Sequence, residues 1–227
     1  MEKKLKTRLW FLMFLILPVA LQAQKDVTQF LDIPVDGYKP EMIKKLKSKG
    51  YTINQYKDDI LEGEFNGTDV NIIIATNNNK VWRIAVFEVN TTDETNIKIK
   101  FNNLIRQFVN NNRYSTEADS TIAKYTIPKD EDISYEITVN NKRYEAVFYQ
   151  KSLKYDSLIN EKDALTAKDK LTDKEKERVG DLIVEIFRES MNSFNKQVWF
   201  MIKEDDGEYR IVIYYDNEYN KANGSGL

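Results

Sequence analysis

The chain has 227 residues, with 34 Lys and Arg against 36 Asp and Glu, and it contains neither histidine nor cysteine. These absences exclude histidine-dependent and thiolate-dependent catalysis, disulfide bonds, and metal sites built from imidazole or thiolate ligands. Because charges of both signs are interspersed and no basic block occurs, the sequence predicts no nucleic-acid partner.

The N-terminus has the three parts of a secretory signal peptide. Four cations and one carboxylate lie in the first eight residues, an apolar run covers 9–21, and Ala23 is the small residue before the predicted cleavage. The run is too short for a membrane-spanning helix, which needs roughly 20 residues. We therefore predict a signal peptide over residues 1–23, a mature chain starting at Gln24, a periplasmic or secreted location and no stable membrane anchor.

The next segment predicts a helix followed by three strands. Pro40 suits a first helical position and Gly50 suits a left-handed exit, so a helix is expected between them. Strands are expected at 60–65, 70–75 and 81–89, separated by Asn66-Gly67 and by Asn77-Asn78-Asn79, which tolerate positive φ.

A second helix is predicted at 93–111, where apolar side chains recur on one stripe from Ile97 to Phe108. Thr91 and Glu94 are spaced as a capping box at its start. Residues 133–139 then alternate apolar and polar side chains, which predicts a half-buried strand leading through Asn140-Asn141 into a strand at 143–149.

Residues 151–171 are charged and weakly periodic, so we expect an irregular linker or insertion there. Thr172 and Glu175 predict a capping box that opens a third helix. The buried face of this helix is expected to contain Val179, Leu182, Ile183, Ile186, Phe187 and Phe194. A final hairpin is predicted to pair 198–203 with 209–215 across Asp205-Asp206-Gly207.

This order of elements lacks the βαβ crossovers of parallel sheets. It favours the α+β class, with an antiparallel sheet or sheets and helices packed on one face. Residues 78–87 resemble 140–148, so the fold is either two related α/β halves or a coincidental reuse of hairpin residues. The expected divisions are a first half at 24–150, the charged segment 151–171, and a C-terminal helix and hairpin at 172–227.

Carboxylates could still supply chemistry. Glu62 and Glu64 are two residues apart on a predicted strand, so their side chains face the same way. They could act as the acid and base of a glycosidase, or they could form a solvated strand edge. The acidic turns 130–132 and 205–208 could offer oxygens to calcium or could simply be solvated, and neither has the spacing of an EF-hand. The sequence assigns no catalytic, cofactor-binding or metal-binding residue.

Aromatic residues are the candidates for a binding surface. Trp82, Trp199 and the C-terminal tyrosines could form a patch that stacks on sugars or binds a protein, or they could fill the core. Adjacent Tyr214 and Tyr215 must point to opposite sides of a strand, so at least one is expected near the surface.

The leader ending at 21–24, the Lys-Gly-Tyr at 49–51 and the ending 214–224 resemble uncharacterised exported proteins of Bacteroides-type bacteria, which implies no known activity. Residues 40–89, a helix before three antiparallel strands, resemble β-lactamase-inhibitor-like proteins and small outer-membrane assembly lipoproteins, although the lipoprotein cysteine is missing. We therefore expect an exported, cofactor-free, non-catalytic binding module that engages a protein or glycan. The alternatives are a carboxylate-dependent carbohydrate-active enzyme and a structural or assembly component of the cell envelope.

Overall fold

A computed structural model describes residues 26–116 and 119–222. They form an α+β fold around one eight-stranded antiparallel sheet, which confirms the predicted class. The predicted signal peptide lies outside the described residues. Within those two ranges, no helix has the length and apolar character needed to cross a membrane.

The elements divide into two groups along the chain. The first group is β1 (Gln29–Phe30), β2 (Ile33–Pro34), α1 (Lys39–Ser48), β3 (Thr52–Ile53), β4 (Ile60–Phe65), β5 (Thr68–Asn77), β6 (Lys80–Glu88) and α2 (Glu94–Asn110). The second is β7 (Tyr114–Ser115), α3 (Asp119–Tyr125), α4 (Ile133–Thr138), β8 (Glu145–Gln150), α5 (Tyr155–Thr166), α6 (Asp173–Ser193), β9 (Gln197–Asp205), β10 (Glu208–Asp216) and a 3-10 turn at Glu218–Asn220. The sheet order is β3-β4-β5-β6-β10-β9-β8-β7, so two meanders, one from each group, join where β6 pairs with β10.

Three tight hairpins were predicted correctly from their turn residues. In each pair, at 66–67, 78–79 and 206–207, both residues have a positive φ between 48° and 81°. Two consecutive positive φ values give a turn whose twist matches that of the flanking strands. These short-range signals therefore fix the β4–β5, β5–β6 and β9–β10 pairings.

Helix α2 packs its predicted stripe against one face of the sheet, which we call the core face. The side chains of Ile97, Phe101, Leu104, Ile105 and Phe108 are buried. The Phe101 ring lies 5.1 Å from that of Phe200, and the Phe108 ring lies 4.8 Å from that of Phe148. These aromatic contacts join the first group of elements to β8 and β9 of the second.

The predicted capping box of α2 is wrong. Asp93 is the N-cap, and its side chain accepts a hydrogen bond from the Asn96 N–H. The Glu94 carboxylate instead accepts a hydrogen bond from the Ile133 N–H at 3.0 Å.

The predicted strand at 133–139 is also wrong, because this segment forms α4. Asp132 caps the helix by accepting from the Tyr135 N–H at 2.9 Å. Ile133 is fully buried and Ile137 packs partly buried against the same core. Residues four apart share one side of a helix, so an alternating pattern this short also fits a helix. Asn140-Asn141 consequently follows a helix rather than closing a hairpin, and β8 pairs with β9 instead.

The expected irregular stretch at 151–171 contains α5, which packs on α6 as a helical hairpin. The hairpin is inserted between two strands that pair directly, since Tyr149 is opposite Gln197 and the Gln150 N–H donates to the Lys196 carbonyl. We call residues 151–196 the arm. At its base, buried Lys196 binds Asp26 at 2.8 Å and donates to the Lys151 carbonyl at 2.7 Å.

Each edge of the sheet has a very short outermost strand and one carbonyl that is bound by a tyrosine hydroxyl. The outermost strands β3 and β7 have two residues each. Beyond them, the Tyr51 hydroxyl donates to the Glu64 carbonyl at 3.0 Å and the Tyr125 hydroxyl donates to the Val147 carbonyl at 3.3 Å. Short edge strands and satisfied carbonyls reduce edge-to-edge pairing with other chains.

We expect Gly63→Ala to destabilise the protein by about 1–3 kcal/mol, because overpacking a filled site has that cost. A Cβ at residue 63 would lie 2.4 Å from Cδ1 of Tyr51, whose side chain is buried. Gly180→Ala is the matched control, since a Cβ there has no atom within 4 Å, and it should stabilise α6 by about 0.5–1 kcal/mol. Urea denaturation measures both, and equal stability of Gly63→Ala and wild type would contradict this packing.

Candidate functional site

The face of the sheet opposite α2, here called the outer face, carries a row of registered neighbours across five strands. The row consists of Ile73, Ala85, Tyr214, Trp199 and Val147. A second row beside it consists of Asn71, Phe87, Val212 and Met201. Most of these side chains are only partly buried, although Ala85 and Val212 are buried between larger neighbours. The outer face is therefore a broad apolar surface with partial access to solvent.

Two aromatic side chains form its centre. The rings of Trp199 and Tyr214 stack at 4.2 Å between centroids with an interplanar angle of 22°. Phe87 from β6 contacts the same tyrosine edge-to-face at 6.5 Å. Cross-strand aromatic pairs of this kind stabilise a sheet and hold both rings in fixed positions.

An ion pair lies directly beside the aromatic pair. Arg83 Nε and Nη2 each lie 2.6 Å from a different carboxylate oxygen of Asp216, and Trp199 Nε1 donates to Oδ2 of Asp216 at 3.0 Å. The guanidinium carbon lies 4.3 Å from the Trp82 ring centroid and 4.7 Å from that of Tyr214. We call Trp82, Arg83, Trp199, Tyr214 and Asp216 the aromatic–arginine cluster.

The carboxylate of the cluster is buried, whereas its guanidinium is partly exposed to solvent. The Asp216 side chain is 1 % exposed, whereas that of Arg83 is 21 % exposed. A buried carboxylate is tolerated only when it is paired and hydrogen-bonded, and the two side-chain donors meet that need. The Tyr214 hydroxyl is protonated at neutral pH and able to donate, and burial raises its pKa further.

The structure separates the C-terminal tyrosines that the sequence suggested as one patch. Tyr209 and Tyr215 are buried on the core face, while Tyr214 lies on the outer face and Tyr219 is 42 % exposed beyond β10. The expectation that Tyr214 and Tyr215 point to opposite sides is confirmed. The site forms instead around Trp199, with two residues that the sequence analysis missed, Arg83 and Asp216. No local signal could reveal that pair, because its members are 133 positions apart.

The candidate carboxylates lie away from this cluster. Glu62 and Glu64 are both on β4, where Glu62 accepts a hydrogen bond from Asn54 Nδ2. In the acidic turn of the last hairpin, Asp205 pairs with Arg210 at 3.1 Å. Across residues 26–116 and 119–222, no group of three or more carboxylates is placed to hold a metal ion.

Glu131, in the other acidic turn, is an internal hydrogen-bond acceptor. It accepts from Lys142 Nζ and from the Tyr144 hydroxyl, and its backbone carbonyl accepts from Lys98 at 2.8 Å. Burial raises the pKa of Glu131, but the hydrogen bonds from Lys142 and Tyr144 outweigh it and the net pKa is lowered. This carboxylate therefore stabilises the fold in its ionised form.

Helix α6 differs most from its sequence prediction. Its capping box is present, and Leu182 is fully buried. Three of the six residues expected on the buried face are instead exposed: Ile183 by 56 %, Phe187 by 66 % and Phe194 by 43 %. The Phe194 ring lies 5.0 Å from that of Tyr149, which alternation places on the outer face with Val147. The exposed side of α6 therefore begins at the margin of the outer face.

Searches against family models, curated proteins and solved structures found no match for this chain. The resemblance to Bacteroides-type exported proteins and to β-lactamase-inhibitor-like proteins stays a prediction.

We expect Arg83→Met to cost about 3 kcal/mol, because it leaves the buried Asp216 carboxylate unpaired. Arg210→Met is the matched control, since Arg210 pairs with an Asp205 side chain that is 60 % exposed and such pairs contribute less than about 1 kcal/mol. Denaturant titration of both variants measures the difference. Equal losses would contradict the role given to the Asp216 pair.

We expect Glu131→Gln to be about 1–2 kcal/mol less stable than wild type at pH 7, because hydrogen bonds to an ionised acceptor are lost. Since the folded pKa of Glu131 is lowered, its contribution is complete above the unfolded value of 4.5 and is lost as the pH falls through the folded value. The difference in free energy of unfolding between Glu131→Gln and wild type, followed by denaturant titration at a series of pH values, should therefore disappear in acid. Glu145→Gln, whose ion-pair partner Arg143 is exposed, is the control and should show no such change.

Proposed function

We propose that this protein is a non-catalytic binding module that works outside the cytoplasm and binds a protein partner through its outer face. The observation that carries the proposal is the aromatic–arginine cluster. Trp, Tyr and Arg are the side chains that dominate the binding energy of protein interfaces. Here all three types are grouped on a broad, partly accessible sheet face.

Rigidity supports this role. The Arg83 guanidinium is held by both carboxylate oxygens of Asp216, and the same carboxylate fixes the Trp199 indole. Side chains already fixed before binding lose little conformational entropy when a partner arrives. The cluster is therefore preorganised for recognition.

The arrangement of the rings favours a protein over a glycan. Trp199 and Tyr214 each use one ring face against the other, and the Arg83 guanidinium carbon lies within 5.3 Å of both centroids. A sugar that stacks on an aromatic ring needs an open ring face. The mutual stacking leaves fewer ring faces open to a sugar, and the charged guanidinium beside the rings suits the backbone carbonyls and carboxylates of a protein.

Composition supports binding rather than reaction. The chain has no histidine for general acid–base catalysis and no cysteine for nucleophilic attack. The signal-peptide pattern over residues 1–23 supports a place of action outside the cytoplasm.

The test is capture from envelope extract by the exported protein, compared with the double variant Phe87→Glu/Met201→Glu, which places two charges on the outer face. We expect a partner that the double variant retains at least roughly tenfold more weakly, the loss produced by about 1.4 kcal/mol of binding energy. Ile99→Glu is the control on the opposite side of the sheet, where Ile99 on α2 is 53 % exposed.

Purified partner and a glycan array complete the experiment. Direct titration of the purified partner should reproduce the difference between the double variant and Ile99→Glu. Capture that is equal for both variants would overturn the proposal, and so would binding confined to a glycan.

A further inference from the structure

Helix α6 has two apolar sides, and α5 covers one of them. The side of α6 that carries Arg178 has Leu182 fully buried one turn away, with Val179 and Ile186 partly buried. The helices are also joined by Arg178, which binds Glu161 at 2.8 Å. The uncovered side, here called the α6 stripe, consists of Gly180, Ile183, Val184, Phe187, Met191 and Phe194.

The spacing of the α6 stripe is that of a helix-packing seam. Positions 180, 184, 187, 191 and 194 follow one another at intervals of 4, 3, 4 and 3 residues, as in coiled coils. The five large side chains of the stripe are 43–66 % exposed. The stripe therefore has the pattern of a surface that receives another helix.

We propose that the occupant is the α6 helix of a second copy of this chain, packed antiparallel about a two-fold axis at Phe187. Gly180 and Phe194 each lie seven residues from Phe187, and Ile183 and Met191 each lie four. A two-fold axis at the centre therefore places Phe194 of each copy opposite Gly180 of the other. Since a Cβ at Gly180 would have no atom within 4 Å, the space there can receive the phenyl ring.

The exposed area suits such a dimer. At about 200 Å² for a large apolar side chain, the exposed fractions of the stripe give roughly 500 Å² per copy. Two copies would bury roughly 1,000 Å², the lower limit for a specific interface. An apolar patch of this size is otherwise an aggregation hazard, and a second copy is always present at the concentration of the protein itself.

Sedimentation of the exported protein over a concentration series tests the proposal. We expect the mass of two chains, with dissociation on dilution because the interface is small. Phe187→Glu should give monomers, because it places two like charges on the axis. Gly180→Gln should also give monomers by filling the space for Phe194, and it should leave the fold intact because glutamine is a better helix former than glycine.

Ile99→Glu is the control, because Ile99 on α2 is 53 % exposed, close to Ile183 at 56 %. It should leave the dimer unchanged. A wild-type protein that remains monomeric at every concentration, or a Gly180→Gln variant that still dimerises, would overturn the proposal and leave the α6 stripe to a different protein.

Crosslinking then fixes the geometry, and the absence of native cysteine makes each introduced thiol unique. Phe187→Cys should crosslink to itself through a short bis-maleimide. Phe194→Cys alone should not, whereas a mixture of Gly180→Cys and Phe194→Cys should give the mixed dimer. Efficient self-crosslinking of Phe194→Cys would instead show parallel helices and contradict the two-fold arrangement.

Discussion

The pairing of Arg83 with Asp216 is the constraint on which the rest of the structure depends. These residues are register partners where β6 meets β10, the strand pair that joins the two meanders. The N-terminal segment is attached at the same point, because the Thr28 hydroxyl donates to the Asp216 carbonyl and Asn217 Nδ2 donates to the Val35 carbonyl at 2.7 Å. A buried carboxylate without its cation would destabilise all of these contacts together. The ion pair thus lies where the two meanders join and where the N-terminal segment attaches to the last strand, and its carboxylate orients the Trp199 indole on the outer face.

The features that could be predicted from the sequence were those set by neighbouring residues. Asn66-Gly67 and Asp206-Gly207 fixed their hairpins, and Thr172 with Glu175 fixed the start of α6, because each signal acts within four residues. Most of the failures involve distant partners, whereas the N-cap of α2 was misplaced by two residues within its own segment. Residues 133–138 form a helix whose first N–H is bound by Glu94, 39 positions away. Periodicity revealed that α6 is amphipathic, but it could not show that α5 covers only part of the apolar surface. The candidate site was the least predictable feature, because Arg83, Trp199 and Asp216 meet only after the sheet has formed.

The outer face and the α6 stripe are adjacent. The contact between Phe194 and Tyr149 brings the α6 stripe to the margin of the outer face. In the proposed dimer, each outer face would adjoin an interface with the second copy, and the two binding surfaces would be held at a fixed separation. A partner with repeated binding sites would then engage both copies, and its second contact would be intramolecular. A modest affinity at each surface is sufficient for stable capture under that arrangement.

The arm begins after β8 and ends at β9, and these two strands pair directly with each other. It is therefore an insertion that leaves the hydrogen bonds of the sheet uninterrupted. Lengthening or shortening α5 and α6 by whole turns would change how far the arm reaches without shifting any strand. The pairing of the sheet therefore does not constrain the length of the arm. Related chains could share this sheet while differing in arm length and in the exposed residues that the arm presents.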